Sequence, residues 1–170
     1  HPPLNLPDDE KQSQMYLYIC KILKENGFNH YEISNFALNG YESKHNCAYW
    51  QNKNYYGFGL NASGYENDCR YKNISDFNKY LKSPLEKEEK IKMSNQEIME
   101  NEIFLALRLK EGINIKRINN KFNINFEEKY NSIIQKYTNL HLLENKNGNI
   151  KLTDHGILLS NEIMSEFIEI

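Results

Sequence analysis

Apolar side chains recur at helical spacing early in the chain. Met15, Leu17, Tyr18, Ile19, Ile22 and Leu23 predict a helix over residues 12–25. Pro7-Asp8-Asp9-Glu10 reads as its start, because proline and acidic side chains suit the free N–H groups and the macrodipole. Asn26-Gly27 reads as its C-cap. In residues 28–37, Tyr31, Ile33 and Asn35 alternate with Glu32 and Ser34, which predicts one strand. Helix, glycine turn and strand form the αβ half of an α/β unit, so the strand should lie parallel to its neighbours. A lone unit of this kind cannot build a sheet. With the start His1-Pro2-Pro3, which lacks a Met, this suggests a piece of something longer.

Residues 38–54 lack periodicity and predict an extended loop. Residues 55–65 predict a short strand and turn. Arg70-Tyr71-Lys72-Asn73 predicts another strand after the Asn67-Asp68 turn, and Ser75-Asp76 caps a short helix that Ser83-Pro84 ends. The charge run 86–92 predicts a solvated linker, with a domain boundary near Lys90 that divides the chain into 1–90 and 91–170.

The second half is more regular. Ser94-Asn95-Gln96-Glu97 is a capping box, opening a helix whose inner face holds Ile98, Ile103, Phe104, Leu105, Leu107 and Leu109. Glu111-Gly112 closes it. Ile113, Ile115, Ile118 and Phe122 predict a second helix, and Asn125 with Glu128 caps a third that turns Phe126, Tyr130, Ile133, Ile134 and Tyr137 inward. Leu142-Leu143-Glu144 and Ile150-Lys151-Leu152 flank Asn147-Gly148, the strongest short hairpin signal. Thr153-Asp154 caps a last helix carrying Ile157, Leu158, Leu159, Ile163, Met164 and Phe167. Three helices, a two-stranded wing and a helix make a winged-helix arrangement. Many such modules bind DNA, but residues 94–170 hold 9 Lys and Arg against 11 Asp and Glu. The candidate recognition helix opens Asn125-Phe126-Glu127-Glu128, putting acid where phosphate would lie. DNA affinity is mostly electrostatic, so nucleic acid is not the expected partner, and docking or a lid role suits the module better.

Composition adds bounds. With 39% hydrophobic and 26% charged residues the chain can bury a core, and a net charge of −2 gives no pull toward nucleic acid or anionic membrane. No apolar run reaches the ~18 residues of a membrane span, and no signal peptide is visible. Cys20, Cys47 and Cys69 are odd in number and form no CxxC pair, so they read as reduced thiols of a cytoplasmic protein, Cys20 as a small buried hydrophobe.

Candidate chemistry is densest in Glu42-Ser43-Lys44-His45-Asn46-Cys47-Ala48-Tyr49-Trp50, which includes the only Trp of the chain. Tyr55-Tyr56 and Gly57-Phe58-Gly59-Leu60-Asn61-Ala62-Ser63-Gly64 follow. The Gly57-x-Gly59 pair permits close backbone approach to a ligand at a strand end; a glycine bend in a packed strand explains it as well.

These residues resemble a known family. His30-Tyr31-Glu32-Ile33-Ser34-Asn35-Phe36-Ala37, then Glu42-Ser43-x-His45-Asn46-x-x-Tyr49-Trp50, then Tyr55-Tyr56-Gly57-Phe58-Gly59-x-x-Ala62, resemble radical S-adenosylmethionine proteins similar to oxygen-independent coproporphyrinogen III oxidase, and the heme-chaperone branch above all. Leu152-Thr153-x-x-Gly156-x-x-Leu159-Ser160-Asn161 resembles that family's C-terminal domain. The resemblance implies an α/β (α+β overall) chain: the last part of a partial α/β barrel, then the winged-helix-like domain. In the full-length protein it implies S-adenosylmethionine and a [4Fe-4S] cluster on a CxxxCxxC loop; that loop does not occur in this sequence, so no cluster ligand is expected here.

In the chaperone branch the HNxxYW motif is associated with heme. The resemblance therefore implies His45 as candidate heme-iron ligand, with Asn46, Tyr49 and Trp50 around it. Cys47 is the runner-up ligand, since imidazole and thiolate both serve heme iron. The alternative stays open that His45 and Asn46 bond loop backbone while Tyr49 and Trp50 anchor the loop. Ala62 and Ser63 resemble the place where related oxidases contact S-adenosylmethionine, and Glu32 and Asn35 could line the same cavity. Three functions follow as expectations: a heme-binding transfer protein with heme or porphyrin as ligand and an acceptor protein as partner; part of a coproporphyrinogen III oxidase; or a non-catalytic interaction module. The open edge of a partial barrel would favour a dimer.

Overall fold

The computed structural model describes residues 6–169; the start at His1-Pro2-Pro3 lies outside them. Helix α1 (Asp9–Glu25) starts where Asp8 accepts the Lys11 N–H at 2.8 Å. Its apolar stripe is not fully buried at any residue, and Met15, Tyr18 and Ile19 are exposed. Cys20 is likewise only half-buried, where a buried one was expected. Tyr16 provides the anchor instead. Its hydroxyl donates to the Ile33 carbonyl at 2.8 Å and lies 3.3 Å from His30 Nε2. His30 stacks on Phe36 at 4.2 Å, and burial holds its imidazole below the usual histidine range.

The expected single strand is instead an antiparallel hairpin, β1 (Asn29–Glu32) and β2 (Asn35–Ala37). No parallel pairing occurs among the described strands. The reason lies in Glu32, which is fully buried. Its carboxylate accepts from the Ser34 N–H at 3.0 Å and from the Asn35 amide, folding the chain back over Ile33-Ser34. The expected loop 38–54 contains helix α2 (Lys44–Trp50), begun by the Ser43 hydroxyl, which accepts the Asn46 N–H at 3.3 Å.

Next comes an antiparallel sheet, β3 (Ser63–Glu66), β4 (Cys69–Asn73) and, beyond helix α3 (Phe77–Lys82), β5 (Lys87–Lys92), in the order β3-β4-β5. Asn67 and Asp68, both at positive φ, make the tight β3–β4 turn. Strand β5 occupies the segment expected to be a solvated linker. It is a charged edge strand, a composition that discourages further pairing.

The rest is the winged helix. It runs α4 (Asn95–Leu107), β6 (Ile113–Asn114), α5 (Ile115–Phe122), α6 (Phe126–Lys129), α7 (Asn131–Asn139), β7 (Leu143–Lys146), β8 (Asn149–Leu152), α8 (Asp154–Leu158) and α9 (Ser160–Ser165). The capping box at Ser94 and Glu97 is formed, and the wing is a three-stranded sheet in the order β6-β8-β7. The last helix, expected whole, is split at Leu159, which is exposed. Ile103, Ile113, Ile118, Phe126, Ile150, Ile163, Met164 and Phe167 are sealed from solvent and form the core. Glu102, buried on α4, pairs with Arg117 at 2.6 Å and Lys121 at 2.5 Å and so ties α5 to α4.

Two backbone hydrogen bonds are among the links that join the β1–β2 hairpin to this domain. Ile33 N–H donates to the Arg108 carbonyl at 3.0 Å, and Lys110 N–H to the Tyr31 carbonyl at 3.1 Å. The Lys110 ammonium also pairs with Asp154, and that hydrogen bond holds the Asp154 carboxyl below its ordinary value. A depressed folded pKa adds stability above the unfolded value near 3.9, and that stability is lost as pH falls through the folded value. Lys110→Met should therefore lower Tm by about 3 °C or less at pH 7, as suits a half-exposed pair. Thermal melts should show that difference vanish once Asp154 is protonated in both proteins. A difference of the same size at pH 7 and pH 2.5 would refute the ion-pair account.

Candidate functional site

Helix α2 sorts the HNxxYW residues by face. At roughly 100° per residue, positions four apart share a face and positions two apart oppose each other. His45 and Tyr49 lie together on the solvent side, both exposed. Asn46 and Trp50 share the next face and are half-buried. Cys47 falls on the side opposite His45, and burial, with Glu42 adding to it, pushes its thiol up. Cys47, the runner-up ligand, is thus half-buried on a different face from His45.

Trp50 is the anchor that the open alternative foresaw for it. Its ring lies under the Arg108 guanidinium, 4.4 Å from the ring centroid, at the end of α4. Tyr49 meets it edge-on at 4.9 Å and reaches Tyr55 at 5.2 Å. Trp50, Glu111, Arg117 and Asn149 line a small cavity of about 280 Å³ on the inner side of α2. The structure therefore divides the motif into an exposed pair, His45 and Tyr49, and an inward residue, Trp50.

The glycine segment is held from behind. Asn73, buried, donates from Nδ2 to the Gly57 carbonyl at 3.0 Å and the Gly59 carbonyl at 2.8 Å. Its Oδ1 accepts from Lys87 Nζ at 2.7 Å. The Tyr71 hydroxyl accepts the Gly57 N–H at 3.1 Å, and Lys87 sits over the Tyr71 ring. A Cβ at Gly57 would lie 2.4 Å from the Ser63 carbonyl oxygen, so only glycine allows this packing. The loop presents Tyr56 and Phe58 to solvent, Phe58 with 87% of its surface exposed. Ala62 is half-buried and Ser63 exposed at the start of β3. Glu32 does not join them: it is sealed inside its hairpin with both oxygens engaged. Arg108, Asn73, Tyr71 and Lys87 escaped sequence reasoning. Only the spacing of the glycines hinted that something must pack closely behind them.

A winged helix joined to a strand-rich segment that carries an HNxxYW helix defines a class, and comparison with known proteins fixes it. Residues 93–159 match the HemN C-terminal domain. Over 97% of its length the chain is 45% identical to the heme chaperone HemW of Lactococcus lactis subsp. lactis, covering 44% of that protein. It is 34% identical to the heme chaperone HemW of Bacillus subtilis, covering 45% of it. The coproporphyrinogen III oxidase HemN of Escherichia coli, a radical SAM enzyme, superposes over 97% of this chain and 42% of its own with a TM-score of 0.75. At 14% identity that likeness speaks for the fold alone. The chain belongs to the HemW- and HemN-like radical SAM family, and it spans less than half the length of these relatives. Among the described residues no helix is long and apolar enough to cross a membrane.

Proposed function

We propose that this chain is the heme-holding part of a heme chaperone of the radical SAM family, with His45 as the axial ligand and Tyr49 beside it. The observation that carries this reading is the exposed His45–Tyr49 face on a helix whose other side is fastened to the α4 end. A heme needs one axial side chain, since the porphyrin supplies the other donors, and a neutral imidazole is the usual one. The site fits that demand: the imidazole is exposed, and an aromatic ring stands one turn along to lie against the macrocycle. An open site of this kind suits a carrier that must release heme to an acceptor protein more than a permanent heme pocket.

The [4Fe-4S] cluster and S-adenosylmethionine belong to this reading of the whole protein, in which residues 1–90 continue the barrel and 91–170 form the docking module. S-adenosylmethionine would supply the radical there. Ala62 and Ser63, at the start of β3, are the residues of this chain that would help to hold it.

Titrating the chain with hemin tests the proposal. His45→Ala is expected to shift the Soret maximum and weaken binding at least about tenfold, the effect of losing a single ligand bond worth ~1.4 kcal/mol. An unchanged band and affinity would remove His45 as ligand. Cys47→Ser should leave both unchanged.

A further inference from the structure

We infer that Arg108 is a positioning residue for heme capture: through its stack on Trp50 it fixes the pose of α2, and hence of His45. The inference rests on the reading of His45 just given, but on separate observations. Helix α2 is fastened at two ends. At its start, the Ser43 N–H donates to the Tyr31 hydroxyl at 3.4 Å. At its end, Trp50 lies under the Arg108 guanidinium. Both fastenings lead to one short segment, because the backbone at Arg108 and Lys110 pairs with Ile33 and Tyr31. The same segment is tied to α8 through Lys110 and Asp154. Residues 108–110 thus form a three-way junction of the hairpin, α2 and the winged helix.

The Arg108–Trp50 contact is one of stacking. Trp50 Nε1 and Arg108 Nε are both buried without a hydrogen-bond partner among the described residues. Two unpaired donors are costly, so the face-to-cation contact must offset them, and it does so only while the guanidinium stays close over the ring. Such a contact fixes the rotation of α2 about its axis. His45 is turned about 140° from Trp50 around that axis, so a rotation of α2 would swing the imidazole in step. A family member could in this way pass a shift of the C-terminal domain to the heme ligand without any residue of that domain touching heme.

The test is a hemin titration of the chain with Arg108→Met and Arg108→Lys beside His45→Ala. Because Trp50 is the only Trp, its emission reports the contact directly. Arg108→Met, which keeps the side-chain stem but loses the planar cation, should weaken hemin binding by about tenfold and expose Trp50 to acrylamide quenching. The Soret maximum of the bound form should not move, since His45 remains the ligand. Arg108→Lys should recover much of the affinity. Wild-type affinity in Arg108→Met, with affinity lost in His45→Ala, overturns the inference and leaves the heme reading standing. Wild-type behaviour in His45→Ala overturns both. Equal losses in the Met and Lys variants, tracking a fall in Tm, would show a structural role only and also overturn it. If Arg108→Met does not fold, Trp50→Phe against Trp50→Leu carries the same test. Phe should keep the affinity and Leu lose it; equal binding by the two is the contrary result.

Discussion

Gly156→Ala should cost the C-terminal domain about 3 kcal/mol or more, a fall in Tm of roughly 6–12 °C. A Cβ built at Gly156 would stand 1.9 Å from the Leu142 carbonyl oxygen and 2.9 Å from its carbon. That backbone cannot step aside. The Leu142 N–H donates to the Tyr137 carbonyl at 2.8 Å, and its own carbonyl accepts from the Thr153 N–H at 3.0 Å. Gly156 in turn is held by its N–H, which donates to the Thr153 hydroxyl at 2.9 Å and caps α8. Relief of the clash must break this cap or pull α7 from β7. Gly148 gives the control. It lies at φ +77 in the wing turn with nothing near its missing Cβ. Gly148→Ala should therefore cost only about 1 kcal/mol, the backbone price of an alanine at positive φ. Thermal melts of the two variants followed by circular dichroism measure the contrast, and similar Tm values for both would show that the close approach at Gly156 is not limiting. The glycine of the Leu152-Thr153-x-x-Gly156 motif is thereby accounted for by packing.

The same contrast explains what the sequence could show. The winged helix was legible because its signals are local and independent. A capping box and an Asn-Gly turn each imply the element that is present, and regular apolar spacing implies the helices, two of which are divided, at Tyr130 and at Leu159. Helix α2 was not, because its seven residues divide into three exposed and four half-buried ones, leaving no apolar stripe to read. Strand β5 was misread for a related reason. Only Lys87 of its six residues is even half-buried, so an edge strand looked like a solvated charge run. The β1–β2 hairpin turns on Ile33-Ser34, which is no usual turn pair, and its signal is the buried Glu32 carboxylate, visible only once folded. For the candidate site, the motif residues were legible but their division of labour was not. That Trp50 turns inward depends on Arg108, distant in sequence and unremarkable until the ring is found beneath it.

Asn73→Ala should cost about 1–3 kcal/mol, because it removes the side-chain donor from two half-buried carbonyls. Asn73 is 2% exposed and its side chain makes three hydrogen bonds, to Gly57, Gly59 and Lys87. Lys87 is only half-buried and can turn to water, so its loss counts least. The carbonyls of Gly57 and Gly59 are less free to turn, since Gly57 is pressed against Ser63 and Gly59 is set at φ +100. Asn73→Asp separates the contributions. A carboxylate still accepts from Lys87, now with a full charge, but cannot donate to either glycine and sets its lone pairs against theirs. If the amide donations dominate, Asp should be no better than Ala; if the Lys87 bond dominates, Asp should match or exceed the parent. The consequence for the candidate site is local. Asn73 N–H donates to the Ala62 carbonyl at 2.8 Å, so the same residue sets the start of β3 where Ser63 is exposed. Released from the side-chain amide, the loop should carry the already exposed Tyr56 and Phe58 on mobile backbone, and chymotrypsin should nick it several times faster than in the parent under native conditions. Nicking at the parental rate in Asn73→Ala would mean that the Tyr71 hydroxyl on the Gly57 N–H, and the close seat on Ser63, hold the loop without the amide.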